Sequence, residues 1–125
     1  MALILIVEDA LFSRRMLGKI LKSQGHQILE ATNGSEGLNL ARERSPDCIL
    51  LDLLMPEISG IEVLEQLNVQ RLLIPTIVIT ADIQETSRQH CLELGAVAVV
   101  NKPPNQHALQ AAIAKALNAH PNPSS

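Results

Sequence analysis

The sequence predicts one α/β domain in which five strands and five helices alternate strictly along 125 residues. Three observations carry this. Short apolar runs alternate with segments of helical period. The runs lack polar alternation, as in strands covered on both faces. The length is that of one domain, and such a chain buries roughly two-thirds of the surface it exposes when unfolded. A strict βα repeat implies a parallel sheet with helices on both sides, because parallel neighbours need a crossover connection and that crossover is right-handed.

Each element has its own justification. "ALILIV" (2–7) is the first strand, and Met16, Leu17, Ile20 and Leu21 stripe the helix after it. "HQILEA" (26–31) is a weaker strand, and its Glu30 suits an edge. Asn33-Gly34 reads as a turn, and Leu38 with Ala41 marks a second, poorly striped helix. "DCILL" (47–51) is a strand, followed by a helix carrying Ile61, Leu64 and Leu67. After "TIVI" (76–79), the stripe is Ile83, Ser87, Cys91 and Leu94, with Gly95 fitting the helix C-terminus. "AVAVV" (96–100) is the last strand, and Asn105 is placed to cap a helix striped by Leu109, Ala112, Ile113, Ala116 and Leu117. Residues 1–119 are expected to form the domain and 120–125 a polar tail.

Composition excludes several functions. Hydrophobic residues make up 46% of the chain, too many for a disordered protein, yet Phe12 is the only aromatic, so no platform exists for stacking bases. A net charge of −3 with scattered Lys and Arg argues against nucleic-acid or membrane-surface binding. Cys48 and Cys91 form no CxxC pair and are read as reduced core thiols. The apolar start "MALILIV" has no basic flank and meets Glu8-Asp9 too soon for a signal peptide or a membrane span, so a soluble, cytoplasmic protein is expected.

Ligands of an open parallel sheet bind beyond the carboxyl ends of its strands. There the sequence puts Glu8-Asp9, Asp52, Thr80 with Ala81-Asp82, and Asn101-Lys102 with Pro103. Two carboxylates about 5 Å apart repel by roughly 3 kcal/mol at an effective dielectric of about 20, more than a single lysine offsets across three acids. The cluster therefore calls for a small divalent cation, and oxygen ligands suit Mg²⁺. A metal, a carboxylate nucleophile, a hydroxyl and an ammonium together point to phosphoryl transfer through an aspartyl phosphate. The first loop has no glycines to cradle a nucleotide phosphate.

"LIVEDALFSRRMLGKIL", "ATNGSEGL", "CILLDLLMPEISGIEVL", "IVITA" and "NKPPNQHAL" resemble, in order and over about residues 3 to 117, the receiver domain of two-component response regulators, the CheY-like family. The resemblance implies a flavodoxin-like doubly wound (βα)5 three-layer sandwich with strand order 2-1-3-4-5. It implies that Asp52 accepts the phosphoryl group, and that Glu8, Asp9 and Asp52 with the Leu54 carbonyl form the Mg²⁺ site. Thr80 and Lys102 would contact the phosphoryl oxygens, with Ala81 beside Thr80 and a cis Lys102–Pro103 bond holding the lysine. The partners implied are a sensor histidine kinase or a phosphotransfer protein and a downstream effector, with the chain a monomer or a phosphorylation-dependent dimer. Intrinsic autophosphorylation and autodephosphorylation would accompany the signalling role.

Three positions depart from the family pattern. Val99 stands where relatives usually carry Tyr or Phe, so output is expected to run through a backbone shift around Thr80 and the fourth helix, or through another face entirely. Leu54 stands where some relatives carry a polar side chain that helps water attack, so it is expected to shield the acyl phosphate. Pro104 replaces a common apolar side chain, without a functional account. His26, His90, His107 and His120 are read as exposed or capping groups, and Arg14 and Arg15 as solvated surface charges. Two competing readings are a Mg²⁺-dependent phosphohydrolase of related fold, disfavoured by "VEDA" in place of DxD and by the lack of room for a cap, and a phosphorylation-independent scaffold, disfavoured by the intact site residues.

Overall fold

The computed structural model describes residues 2–82 and 84–119. Among them β1 (Leu3–Val7), α1 (Leu11–Ser23), β2 (Gln27–Ala31), α2 (Gly34–Arg44), β3 (Cys48–Asp52), α3 (Gly60–Val69), β4 (Thr76–Thr80), α4 (Glu85–Glu93), β5 (Ala98–Asn101) and α5 (Gln106–Ala119) follow in the expected alternation. All pairings are parallel and the strand order is β2-β1-β3-β4-β5, the flavodoxin-like arrangement. Ile83 and the tail from His120 lie outside the described residues, so the first member of the α4 stripe and the tail expectation have no structural counterpart.

Both faces of the sheet are covered, which is why its central strands are apolar throughout. Ile4, Ile6, Leu50, Ile77 and Ile79 face α1 and α5, meeting Leu17, Leu21, Leu109 and Ile113. The alternate residues Leu5, Val7, Ile49, Leu51 and Val78 face α2, α3 and α4, meeting Leu38, Val63, Leu64, Leu67 and Cys91. Cys48 and Cys91 are free, buried thiols in opposite layers. Burial pushes the Cys48 thiol up to about 12. The weak stripe of α2 has a steric cause: a Cβ at Gly37 would stand 2.8 Å from Val7 Cγ2, so backbone rather than side chain packs there.

β1 and β3 start one residue inside their apolar runs, and β2 and β5 start later than theirs for one reason. After α1, the Gly25 N–H donates to the Lys22 carbonyl (3.0 Å) and the His26 N–H to that of Leu21 (3.1 Å). After α4, Gly95 donates to Leu92 (3.0 Å) and Ala96 to Cys91 (3.0 Å). Both are Schellman closures around a glycine of positive φ, +86° and +100°. His26 and Ala96 thus finish helices instead of opening strands. A third closure ends α3, where Leu72 donates to Leu67 (2.9 Å) and Arg71 takes the left-handed position at φ 55°. Asn33-Gly34 is not a free turn: Asn33 is the N-cap of α2, its side chain accepting from the Glu36 N–H at 2.8 Å. Asn105 caps α5 as expected, accepting from His107 and Ala108.

Candidate functional site

The C-terminal edge of the sheet gathers the expected groups. Asp52 is the last residue of β3 and only 5% exposed. Val7 pairs with Leu51, so Glu8, the next residue, lies beside Asp52 and is 1% exposed. Glu8, Asp9 and Asp52 each offer a carboxylate oxygen, all within 4.8 Å of one another. From β5, the Lys102 N–H donates to the Thr80 carbonyl (2.8 Å) just before a cis Lys102–Pro103 bond. The Lys102 Nζ reaches Glu8 Oε1 at 2.5 Å and Asp52 Oδ1 at 3.3 Å. Asp52 Oδ1 also faces the Leu54 N–H at 3.4 Å, while the Leu54 side chain stands exposed. Gly60 holds the exit loop against β3: its N–H donates to Leu53 at 2.9 Å, and a Cβ there would meet the Asp52 carbonyl oxygen at 2.6 Å.

Charge in this notch is unevenly shared. Burial pushes Asp52 up to about 7, the neighbouring Glu8 adds to the rise, and Lys102 opposes it. Glu8 goes down: burial works against its ionisation, but hydrogen bonds from Asp52 and Lys102 outweigh the cost. Lys102 goes up, because its contacts to the two acids exceed the effect of its own burial. One ammonium against three carboxylates leaves two negative charges, which a divalent cation would match. All three candidate donors are carboxylate oxygens, the chemistry of a hard ion rather than of a thiolate or imidazole site. The residues present therefore fit a metal ion.

Thr80 is buried, and its Oγ1 accepts from the Asp82 N–H at 3.0 Å, which leaves its own proton free to be donated elsewhere. Asp82 in turn accepts from the Ser87 hydroxyl (2.6 Å) and the Gln84 N–H (2.9 Å), and its carbonyl from Asn101 Nδ2 (3.4 Å). Thr80 is thereby linked to the first turns of α4 and to β5. Ala81 beside it is exposed. Val99 packs partly buried against the α2–α4 layer, and its carbonyl accepts from Arg88 (3.3 Å). Pro104 lines a cavity of about 240 Å³ with Phe12, Met16, Leu17, Lys102 and Pro103.

One expectation is overturned. Arg14 is not a solvated charge: its side chain is 13% exposed, Nη1 donates to the Glu8 carbonyl at 3.0 Å, and Nε pairs with Glu30 at 3.2 Å. Arg15 is exposed, as anticipated. The sequence contains the signal, an arginine one helical turn beyond an acid pair, but not its direction. His90 and His107 are exposed, and His26 Nδ1 accepts from the Ala2 N–H (3.2 Å) at the opposite end of the sheet. His120 lies outside the described residues.

Comparison with known proteins agrees with this geometry. The family model described as "Response regulator receiver domain" matches residues 4–114. PilH of Pseudomonas aeruginosa is 37% identical over 111 residues, which cover 87% of this chain and 92% of PilH. PhoP of Bacillus subtilis, the alkaline phosphatase synthesis transcriptional regulatory protein, is 37% identical over 100 residues, 80% of this chain but 42% of PhoP. The chain thus spans about two-fifths of that regulator's length and nearly all of PilH's. The structure of the Vibrio cholerae chemotaxis protein CheY4 superposes with a TM-score of 0.87 at 27% identity, covering 94% of this chain and 99% of that one. The chain belongs to the response regulator receiver domain family, the phosphoaccepting signalling domains of two-component systems. That membership does not favour the phosphohydrolase or scaffold readings. Among the described residues, no helix is long and apolar enough to cross a membrane.

Proposed function

We propose that Asp52 is the phosphoryl acceptor, and that Glu8, Asp9, Asp52 and the Leu54 carbonyl hold Mg²⁺. The observation that carries this reading is the Lys102 ammonium bridging the buried carboxylates of Glu8 and Asp52. The donor is a phosphohistidine of a sensor kinase or phosphotransfer protein. An Asp52 oxygen attacks phosphorus, the P–N bond breaks, and the departing imidazole keeps the electron pair and takes up a proton. Bound Mg²⁺ supplies neutralisation of the negative charge on the transferring oxygens. Lys102 contributes its ammonium to the same charge, and Thr80 its free hydroxyl proton. The same groups support slow autophosphorylation from small acyl phosphates and, with water as nucleophile, autodephosphorylation.

Readout passes through the Thr80–Asp82–Ser87 chain. When the Thr80 hydroxyl turns to a phosphoryl oxygen, its hold on the Asp82 N–H changes and the start of α4 moves. No ring swings at Val99; the hydrogen bonds made by the Thr80 and Asp82 side chains carry the signal instead. Residues 1–119 form the receiver unit and act in the cytoplasm, with a downstream effector reading the altered surface. Incubation of wild type and Asp52→Asn with acetyl phosphate and MgCl2 tests the assignment. Intact mass is expected to show one phosphoryl group on wild type and none on the variant, and size-exclusion of the same samples reports phosphorylation-dependent dimerisation. Equal labelling of both proteins would move the acceptor away from Asp52.

A further inference from the structure

We propose that Arg14 is a positioning residue for the acid pair, clamping the backbone that presents Glu8 and Asp9 so that cation binding does not have to order it. This rests on the metal-site reading above. β1 ends at Val7, so both acids stand on loop backbone. The next residue, Ala10, is the N-cap of α1 and has no side chain able to cap it. Arg14, one turn inside the helix, cannot act as that cap, since a guanidinium only donates; it anchors instead the carbonyls that lead into the helix. Its Nη1 donates to the Glu8 carbonyl at 3.0 Å, with a longer contact of 3.5 Å to that of Asp9. Glu30, on the adjacent strand β2, fixes the other side of the guanidinium through Nε at 3.2 Å. The clamp therefore ties α1, the acid loop and β2 together.

The arrangement also answers an electrostatic objection. A free cation this close would repel a metal ion. The Glu30 carboxylate pairs with the guanidinium and offsets its charge, so geometry is retained while repulsion is reduced. A planar fork makes these bonds simultaneously; a lysine ammonium on a flexible stem does not reproduce them.

The two roles predict opposite signs. If Arg14 acts by charge alone, Arg14→Ala tightens cation binding and Arg14→Lys leaves it unchanged. If Arg14 positions the loop, both variants weaken binding, Arg14→Ala by roughly tenfold, the scale of outer-shell supports of metal sites, and Arg14→Lys by less. The test is titration of the folded proteins with MgCl2 alone, followed by amide NMR shifts, with Arg15→Ala as the exposed, charge-matched control. In parallel, labelling by acetyl phosphate at varied Mg²⁺ is expected to show a raised half-saturation for Arg14→Ala and an unchanged rate at saturating metal. Arg14→Lys keeps the charge and a good helix former, so it reports even if the alanine variant folds poorly. Unchanged or tighter affinity in the Arg14 variants, or equal weakening in Arg15→Ala, overturns the proposal. A wild-type chain that shows no Mg²⁺ response defeats the metal-site reading itself, a separate and recognisable result.

Discussion

Replacing Asp52 with Asn is expected to stabilise the metal-free protein at pH 8 while abolishing phosphorylation. In the unfolded chain Asp52 ionises freely, with an ordinary value of 3.8; in the folded chain burial and Glu8 push it up to about 7. The sign follows. A carboxyl whose folded value is raised contributes stability at acid pH, and that stability is lost as the pH climbs from about 4 to 7. Glu8 behaves oppositely: its folded value is lowered, so its contribution is present above the ordinary 4.5 and lost on acidification. Lys102 is raised from an already high value and stays charged across this range. The notch of metal-free wild type should therefore lose stability as the pH rises from about 4.5 towards 8.

The difference between 3.8 and about 7 is worth at most about 4 kcal/mol, and screening at the solvent-facing rim reduces it to about 2 kcal/mol. For a domain of this length that is a Tm increase of roughly 6–10 °C for Asp52→Asn at pH 8 in EDTA. The gap should shrink to under half at pH 5 and nearly close by pH 4, and it should also close at pH 8 in saturating Mg²⁺, which stabilises only the intact site. Urea denaturation followed by far-UV circular dichroism is the assay, since the chain has neither Trp nor Tyr. An Asp52→Asn variant no more stable than wild type at pH 8 in EDTA would refute the picture of a repulsive notch awaiting a cation.

Two further outcomes are expected. Leu54→Asn offers water a hydrogen bond that leucine withholds; at about 1 kcal/mol this shortens the acyl-phosphate lifetime about fivefold, and decay of the phosphorylated mass in Mg²⁺ buffer measures it. An unchanged or longer lifetime would show that Leu54 is no shield. Arg71→Gly relieves the left-handed position that closes α3, at φ 55°, and should raise stability by about 1 kcal/mol in urea denaturation without altering labelling.

The residues themselves determined the layered sheet and the contents of the notch. Runs such as "CILLD" and "TIVIT" have no polar alternation, and a strand of that kind is stable only with helices on both faces. Asp52 after "CILL" and Lys102 before Pro103 are legible as strand-end groups because the polar position is where the apolar run stops. Local pattern failed where one residue served two elements. His26 and Ala96 belong by hydropathy to the strands that follow, yet their N–H groups close the helices that precede, and a buried helix end must be satisfied first.

Tertiary structure alone decided two other matters. Arg14 and Arg15 are neighbours with the same side chain, and only the position of β2, which sets Glu30 beside α1, turns the first inward and leaves the second in water. Glu8 and Asp52 are both acids at strand ends, and only folding decides between them: burial and the adjacent Glu8 push Asp52 up to about 7, while Lys102, closer to Glu8 than to Asp52, helps hold Glu8 down. Hydrophobic pattern acts over a few residues of chain, whereas charge acts through space between segments that folding brings together.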